Sequence, residues 1–525
     1  MGYTINFVTT VHFMEKQIRV RFAPSPTGAL HIGGVRTALY NYLLARKHQG
    51  QFILRIEDTD QNRFVPGAEQ YIMDTLQWLG IEPDEGPQQG GPFGPYRQSE
   101  RKDIYQQYAQ RLVEKGKAYY AFDTPEELDA MRERLEAAKV ASPQYNAISR
   151  EWMKNSLTLP QEEVNARLHA AEPYVIRFKM PHKETIRFYD QVRGWVKVET
   201  ATLDDKVLIK SDGMATYHLA NVVDDYLMQT THVIRGEEWL PSAPLHILLY
   251  QYFGWESVMP QFVHLPILLK PEGHGKLSKR DADKHGFPIF PIGWHDPITQ
   301  NYTPGFREKG YLPEALINFL ALLGWSPGNN QELFSKAELV DAFSIERIGK
   351  SGVKFDIQKA NWFNQQYIRK KSDQELAAYL TIELERNQLR YDIQQVERVC
   401  HLLKERATFP QDFWTEGQVL FQPPATYDLE AIQKKWTRRL HYALENFVPI
   451  LQNLTSFAAD KIKEALMTFL NEQEIKINEV MPVIRIALMG KTMGPDLMQS
   501  MEIIGQTETV KRIQTALEVI NVSKE

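Results

Sequence analysis

Ile18-Arg19-Val20-Arg21-Phe22 is followed by Ala23-Pro24-Ser25-Pro26-Thr27-Gly28 and then by Leu30-His31-Ile32-Gly33-Gly34. The first run reads as a buried strand, and the proline- and glycine-rich stretch stops it. From Gly34 to His48 apolar residues recur at Val35, Ala38, Leu39, Tyr42 and Leu43. That spacing predicts an amphipathic helix, with Gly50 as its C-terminal glycine. Phe52-Ile53-Leu54-Arg55-Ile56 then reads as a second strand. The order is β-α-β, expected to be parallel and right-handed, and open sheets of this kind bind substrates beyond the carboxyl ends of their strands.

Chemistry gathers at that edge. Gly33 and Gly34 fall where the helix begins, where unpaired backbone N–H groups suit a phosphate, and His31 can donate to it. The bland alternative is an ordinary strand–helix turn with a surface histidine. Arg21 and Ser25 add a cation and a hydroxyl. Glu57-Asp58-Thr59-Asp60 brings three carboxylates, able to bind an amino group or magnesium, or to cap the helical pattern from Pro66 to Leu79. We assign Glu57 to function and Asp60 to capping. Far along the chain, Gly273-His274-Gly275-Lys276-Leu277-Ser278-Lys279-Arg280 is a cationic, glycine-hinged loop. Lys276 and Lys279 can meet charge that grows on a triphosphate as pyrophosphate leaves; a solvated surface loop is the plain alternative. The two motifs in this order suggest one ATP site built from both ends of a split nucleotide-binding domain, and so an adenylate-forming enzyme.

Between about Tyr96 and Thr202 the strand–helix alternation is lost. Thr124-Pro125-Glu126-Glu127 is a capping box opening a charged helix to about Val140. Tyr174–Phe178 and Arg193–Val198 read as strands, so a mixed α/β insertion is expected. Val207–Lys210 reads as a strand at the return to the core. Tyr217 and Asn221, four apart, share one helix face. Arg235 follows the strand-like Thr231–Ile234, where it can clamp a carboxylate bidentately or form a surface salt bridge.

The 525 residues favour several domains, and net charge −5 means that a polyanion partner must find a local basic patch. The single cysteine, Cys400, rules out an internal disulfide and a multi-cysteine metal knuckle, and is expected to pack. No apolar run is long enough to span a bilayer and no secretory signal is seen, so a cytoplasmic protein is expected. Residues 1–15 read as a poorly ordered extension, with Met14 an alternative start. From about Tyr311 helical spacing dominates, over Leu312–Gly324, Trp436–Leu451, Asp460–Leu470 and Val480–Leu488. Within it, 347–371 carries seven Lys/Arg against one acid, Asp356, interleaved with Phe355, Trp362, Phe363 and Tyr367. Such a pattern either binds RNA, phosphates on the cations and bases on the rings, or is a core with a charged outer face.

The stretches Arg21–Gly28, Leu30–Gly34 and Arg55–Asp60, then Tyr217–Asp225, His232–Trp239, Lys276–Arg280 and Gly490–Pro495, resemble bacterial-type glutamyl-tRNA synthetases, which are class I aminoacyl-tRNA synthetases. The resemblance implies an α/β fold: a split Rossmann-like catalytic domain (16–95 and 203–270) with an inserted α/β connective domain (96–202) that holds the tRNA acceptor end. A lysine-loop and helical linker domain (271–345) follows, then an all-helical anticodon-binding region (346–525, two subdomains breaking near 410–425). It implies ATP with Mg²⁺, L-glutamate and tRNA(Glu) as ligands, and a monomer. His31, Lys276 and Lys279 would be catalytic; Gly33, Gly34, Trp239, Leu269, Ser278 and Lys279 would bind ATP. Arg21, Tyr217, Asn221 and Arg235 would contact the glutamate side chain, and Ser25 and Glu57 its backbone end. Lys350, Lys354, Trp362 and Arg369 would contact tRNA. Some relatives carry zinc in the insert, but Ala121, Asp123 and Ser149 stand where cysteines would sit, so no zinc is expected. Glutaminyl-tRNA synthetases differ at the Arg235 position and carry histidine where Gly34 stands. The alternatives are a glutaminyl-type enzyme, a glutamyl transferase acting on a modified tRNA base, and an inactive tRNA-binding paralogue.

Overall fold

The computed structural model describes residues 17–520. The extension expected over 1–15 lies outside the described residues. Two compact units separate: one runs to Glu308 and takes in Leu316–Ile357, the other comprises Lys309–Ala315 and the chain from Gln358 onward.

The first unit opens with β1 (Arg19–Phe22), α1 (Ile32–Lys47) and β2 (Gln51–Leu54), the strands parallel from Arg19–Gln51 to Phe22–Leu54. Val35, Ala38, Leu39 and Leu43 of α1 are buried against them. One detail departs from expectation. The left-handed residue after α1 is Gln49, at φ 50°, and Gly50 is needed for space: a Cβ there would lie 2.1 Å from the Ile18 carbonyl oxygen. Gly50→Ala is therefore expected to cost about 1–3 kcal/mol, as overpacking does, read as a lowered thermal midpoint; an unchanged midpoint would refute the crowding.

Further along come α2 (Ala68–Trp78), α3 (Lys102–Glu114), β3 (Ala118–Ala121), α4 (Pro125–Ala137), α5 (Gln161–His169) and β4 (Val175–Phe178). The capping box of α4 forms as read, Thr124 and Glu127 reciprocally bonded. Next are β5 (Thr185–Asp190), β6 (Gly194–Glu199), β7 (Val207–Ile209), α6 (Tyr217–Leu227), β8 (His232–Gly236), α7 (Ala243–Phe253), β9 (Gln261–Leu265), β10 (Leu268–Leu269) and α8 (Lys279–His285).

The main sheet runs β2-β1-β8-β9-β5-β6, parallel except for the β5–β6 hairpin. Three strands sit elsewhere than the sequence reading put them. The β5–β6 hairpin, read as part of the insertion, extends the catalytic sheet through β9. Strand β7, read as part of the core, closes the separate β3-β4-β7 sheet. Short strands show periodicity but not partners.

Helices α9 (Pro313–Ala321), α10 (Lys336–Ala342) and α11 (Ile357–Lys370) follow α8. In the second unit, α12 (Asp373–Arg386), α13 (Ile393–Leu403) and α14 (Asp412–Gly417) pack together, α15 (Leu429–Lys435) packs on α18 (Ile477–Met489), and α16 (Arg438–Gln452), α17 (Ala459–Glu472), α18, α19 (Leu497–Ile504) and α20 (Gln506–Val519) form a helical cluster. Phe447, Leu451, Leu466, Ile484 and Ile513 fill its interior. Cys400 is fully buried on α13. No described helix is long and apolar enough to cross a membrane.

Candidate active site

Strand β1 ends at Phe22, and the Ala23–Leu30 turn carries the chain to His31, the N-cap of α1. A cavity of about 480 Å³ opens at this strand edge. Its wall joins both motifs: His31, Gly33 and Gly34 from the first, Lys276 and Leu277 from the second. The Ile32 N–H donates to the Ile289 carbonyl at 3.0 Å, tying the segment after the lysine loop to the helix start.

The glycine turn works differently from the sequence expectation. The Gly33 N–H donates to His31 Nδ1 at 3.0 Å, and the Gly34 N–H to the His31 carbonyl at 2.9 Å, so neither amide is left over for a phosphate. The helix terminus still offers its dipole. Because Nδ1 accepts, Nε2 carries the imidazole proton and is the donor. Desolvation and the Lys276 ammonium lower the His31 pKa, with Glu238 opposing, which favours this neutral form. Gly34 serves packing: a Cβ would meet Leu30 Cδ1 at 2.4 Å.

Lys276 Nζ lies 2.7 Å from Glu238 Oε1. Ser278 and Lys279 are not part of the cavity wall. Ser278 caps α8, its hydroxyl engaged with Asp281, because a serine three residues before an acid at a helix start forms a capping box. Lys279 starts α8, with Nζ 5.6 Å from the Phe290 ring centre. Trp239 lines the cavity and packs on Tyr217 at 4.4 Å; Leu268 lines it where Leu269 was expected, Leu269 pairing instead with Lys354.

Arg21, Ser25, Glu57, Tyr217, Asn221 and Arg235 all reach the same cavity. Arg21 already holds a buried carboxylate, Asp225, through Nε at 2.9 Å and Nη2 at 3.2 Å. Arg55, fully buried, binds Asp225 Oδ1 at 2.8 Å and Glu57 Oε1 at 3.0 Å, and Asn221 donates to the same Glu57 oxygen at 3.1 Å. Burial raises the Glu57 pKa although Arg55 and Arg21 pull it down; Asp225 stays below the usual range despite burial because both arginines face it. Asp58 accepts from the Ser99 N–H and hydroxyl, and Asp60 pairs with exposed Arg63 without capping a helix. Of the three carboxylates only Glu57 faces the cavity.

Arg235 is the exception among these arginines. It is 5% exposed, and its partners are neutral: Tyr217 Oη at 2.6 Å, His264 Nε2 at 3.0 Å, the Trp239 carbonyl at 3.3 Å and His246 Nδ1 at 3.5 Å. Burial and Arg235 itself push His246 well below its ordinary pKa. Among the described residues no carboxylate pairs with Arg235. A buried guanidinium in that state favours an incoming anion.

Sequence reasoning missed Arg55, Asp225, Glu238, Asp190 and His264 as members of this site. Arg55 left a signal, a charged residue inside an apolar strand; the others gave none without the fold.

Lys350 and Lys354 are exposed. In the basic segment Phe355, Phe363 and Tyr367 are buried, so these rings are core and not stacking platforms. Trp362 is half-buried under Lys359 Nζ at 4.0 Å, and Arg369 pairs with Glu405 at 3.1 Å. In the insert, Ala121 offers no donor atom, Asp123 accepts from Tyr145 Oη and the Lys154 N–H, and the Ser149 hydroxyl donates to the Gln144 carbonyl. Among the described residues no group of three or more His, Cys, Asp or Glu could hold a metal ion.

Residues 17–362 match the family described as tRNA synthetases class I (E and Q), catalytic domain, and residues 374–517 match an anticodon binding domain. The chain is 79% identical over 507 residues to a glutamate–tRNA ligase of Amoebophilus asiaticus, covering 97% of this chain and 99% of that one. It is 58% identical over 504 residues to a glutamate–tRNA ligase of Cytophaga hutchinsonii, covering 96% and 98%. A crystal structure of a glutamate tRNA ligase from Elizabethkingia meningosepticum in complex with its amino acid superposes with a TM-score of 0.93 at 48% identity, covering 96% of this chain and all of that one. The chain belongs to the class I tRNA synthetases of the E and Q group.

Proposed function

We infer that this protein is a glutamate–tRNA ligase, which activates L-glutamate with MgATP and transfers the glutamyl group to the 3′ end of tRNA(Glu). The observation that carries the choice of amino acid is Arg235, buried without an anionic partner in the cavity wall. A γ-carboxylate pairs with it; the neutral amide of glutamine leaves it uncompensated, at a cost of roughly 3–5 kcal/mol, enough to discriminate without editing. Tyr217 and Asn221 border the same pocket, and Glu57 and Ser25 take the α-amino end.

In the first step a glutamate α-carboxylate oxygen attacks the α-phosphorus of ATP and the bond to pyrophosphate breaks. In the second, the terminal ribose hydroxyl of tRNA attacks the activated carbonyl and AMP leaves. No protein nucleophile is required. His31 donates from Nε2, and Lys276 exchanges Glu238 for the triphosphate, so catalysis is alignment and charge stabilisation. Lys279 reaches the phosphates only if the loop shifts. Trp239 borders the adenosine end. Exposed Lys350 and Lys354 suit phosphate contacts on tRNA, as would Trp362 and Arg369 if they turned from their present partners. The reading includes a cytoplasmic monomer whose insert is held without zinc by the Asp123–Tyr145 and Ser149–Gln144 hydrogen bonds.

The test is aminoacylation with purified tRNA isoacceptors. Glutamate should be charged onto tRNA(Glu) with kcat/KM at least ~100-fold above that for glutamine, from the penalty above. Equal use of the two amino acids would refute the reading.

A further inference from the structure

Arg235 is held by a chain of buried groups that ends on a strand of the hairpin. Its Nε–H donates to His264 Nε2 at 3.0 Å. An Nε2 that accepts requires the ring proton on Nδ1, and Nδ1 lies 2.6 Å from Asp190 Oδ2. Asp190 is anchored in turn: its Oδ1 accepts the Val192 N–H at 3.0 Å and the Arg193 N–H at 2.8 Å, and its Oδ2 the His264 N–H at 3.2 Å. Asp190 and His264 are both fully buried. Asp190 belongs to β5 and His264 to β9, so the chain crosses from the added hairpin into the parallel sheet.

We propose that Asp190 and His264 are positioning residues for amino-acid selection: Asp190 fixes the Nδ1–H tautomer of His264, and the Nε2 lone pair orients the Arg235 guanidinium toward the substrate carboxylate. The proposal rests on the reading of Arg235 as the γ-carboxylate clamp. The carboxylate's role goes beyond packing. Burial would raise the Asp190 pKa, yet the His264 bond and the backbone amides hold it below the usual range. Burial, with the Arg235 and Arg193 charges, lowers that of His264 although Asp190 raises it, which favours the neutral ring, so its tautomer matters. An asparagine at 190 keeps the acceptor for the loop amides but presents an NH₂ to Nδ1. The ring proton then moves to Nε2 and confronts the Arg235 Nε–H, donor against donor.

The experiment compares full-length Asp190→Asn, His264→Gln, the double variant and Arg235→Ala in aminoacylation. Asp190→Asn should raise the glutamate KM about 10-fold or more, the effect of losing a hydrogen bond to a charged group, with the ATP KM unchanged. His264→Gln places an amide oxygen before Arg235 whatever stands at 190, so the double variant should behave like His264→Gln and recover most of the loss. An unchanged glutamate KM in Asp190→Asn, or a double variant as impaired as Asp190→Asn, would overturn the proposal. If Asp190→Asn does not fold, His264→Phe carries the test: it fills the ring volume without an acceptor and should raise the glutamate KM alike, and a wild-type value would overturn the idea. Arg235→Ala separates the levels. No effect there sinks the clamp reading itself; a large effect there with none in Asp190→Asn sinks the tautomer relay alone.

Discussion

Replacing Lys276 by alanine should slow glutamate-dependent ATP–pyrophosphate exchange, measured with tRNA present, by ~100-fold or more, the usual loss for a preorganised transition-state donor. Lys276 is the lysine-loop cation that lines the cavity together with His31, and its ammonium is held 2.7 Å from Glu238. When the triphosphate enters, that ammonium changes partner from a carboxylate to phosphoryl oxygens whose charge rises as the bond breaks. Losing an interaction that strengthens only in the transition state lowers kcat without a matching change in KM. The expected signature is therefore a fall in kcat at near-constant ATP KM. A folded variant exchanging pyrophosphate at the wild-type rate would remove Lys276 from the mechanism. Lys279, over Phe290 and outside the cavity wall, must swing inward to contribute.

Arg235→Ala should lower kcat/KM for glutamate by about 100- to 5,000-fold, corresponding to the ~3–5 kcal/mol at stake when one member of a buried charge pair is removed. Arg235 contacts Tyr217, His264 and the Trp239 carbonyl, and none of these can replace its charge. Charging of glutamine should fall much less, so the preference between the two amino acids narrows. Unaltered discrimination would assign glutamate recognition elsewhere, with Arg21 the next candidate if its Asp225 pair opens.

The β-α-β start of the chain was legible because strand and helix periods differ and Gly-Pro punctuation separates them; β1, α1 and β2 lie within a residue or two of the reading. The loss of alternation near Tyr96 fits the separate β3-β4-β7 sheet that follows it. Strand partners were not legible. Nothing in Thr185–Asp190 says that it pairs beside β9, and nothing in Val207–Ile209 says that it leaves the parallel sheet, because strand pairing depends on contacts distant in sequence. The same limit governed the site. Motif residues could be named, but Gly33 and Gly34 spend their amides on His31, Ser278 spends its hydroxyl on Asp281, and the aromatics near Trp362 turn inward, all decided by local geometry that composition does not carry.

The crossed allegiance of β5–β6 and β7 has a consequence for anyone wishing to trim this enzyme. The interruption is not a cassette with two clean seams. Excising 96–209 would strip the outer strands from the main sheet, take Asp190 away from His264, and cut the chain a few residues before the helix that bears Tyr217 and Asn221. A minimal catalytic body would have to keep the hairpin and graft a new entry to that helix.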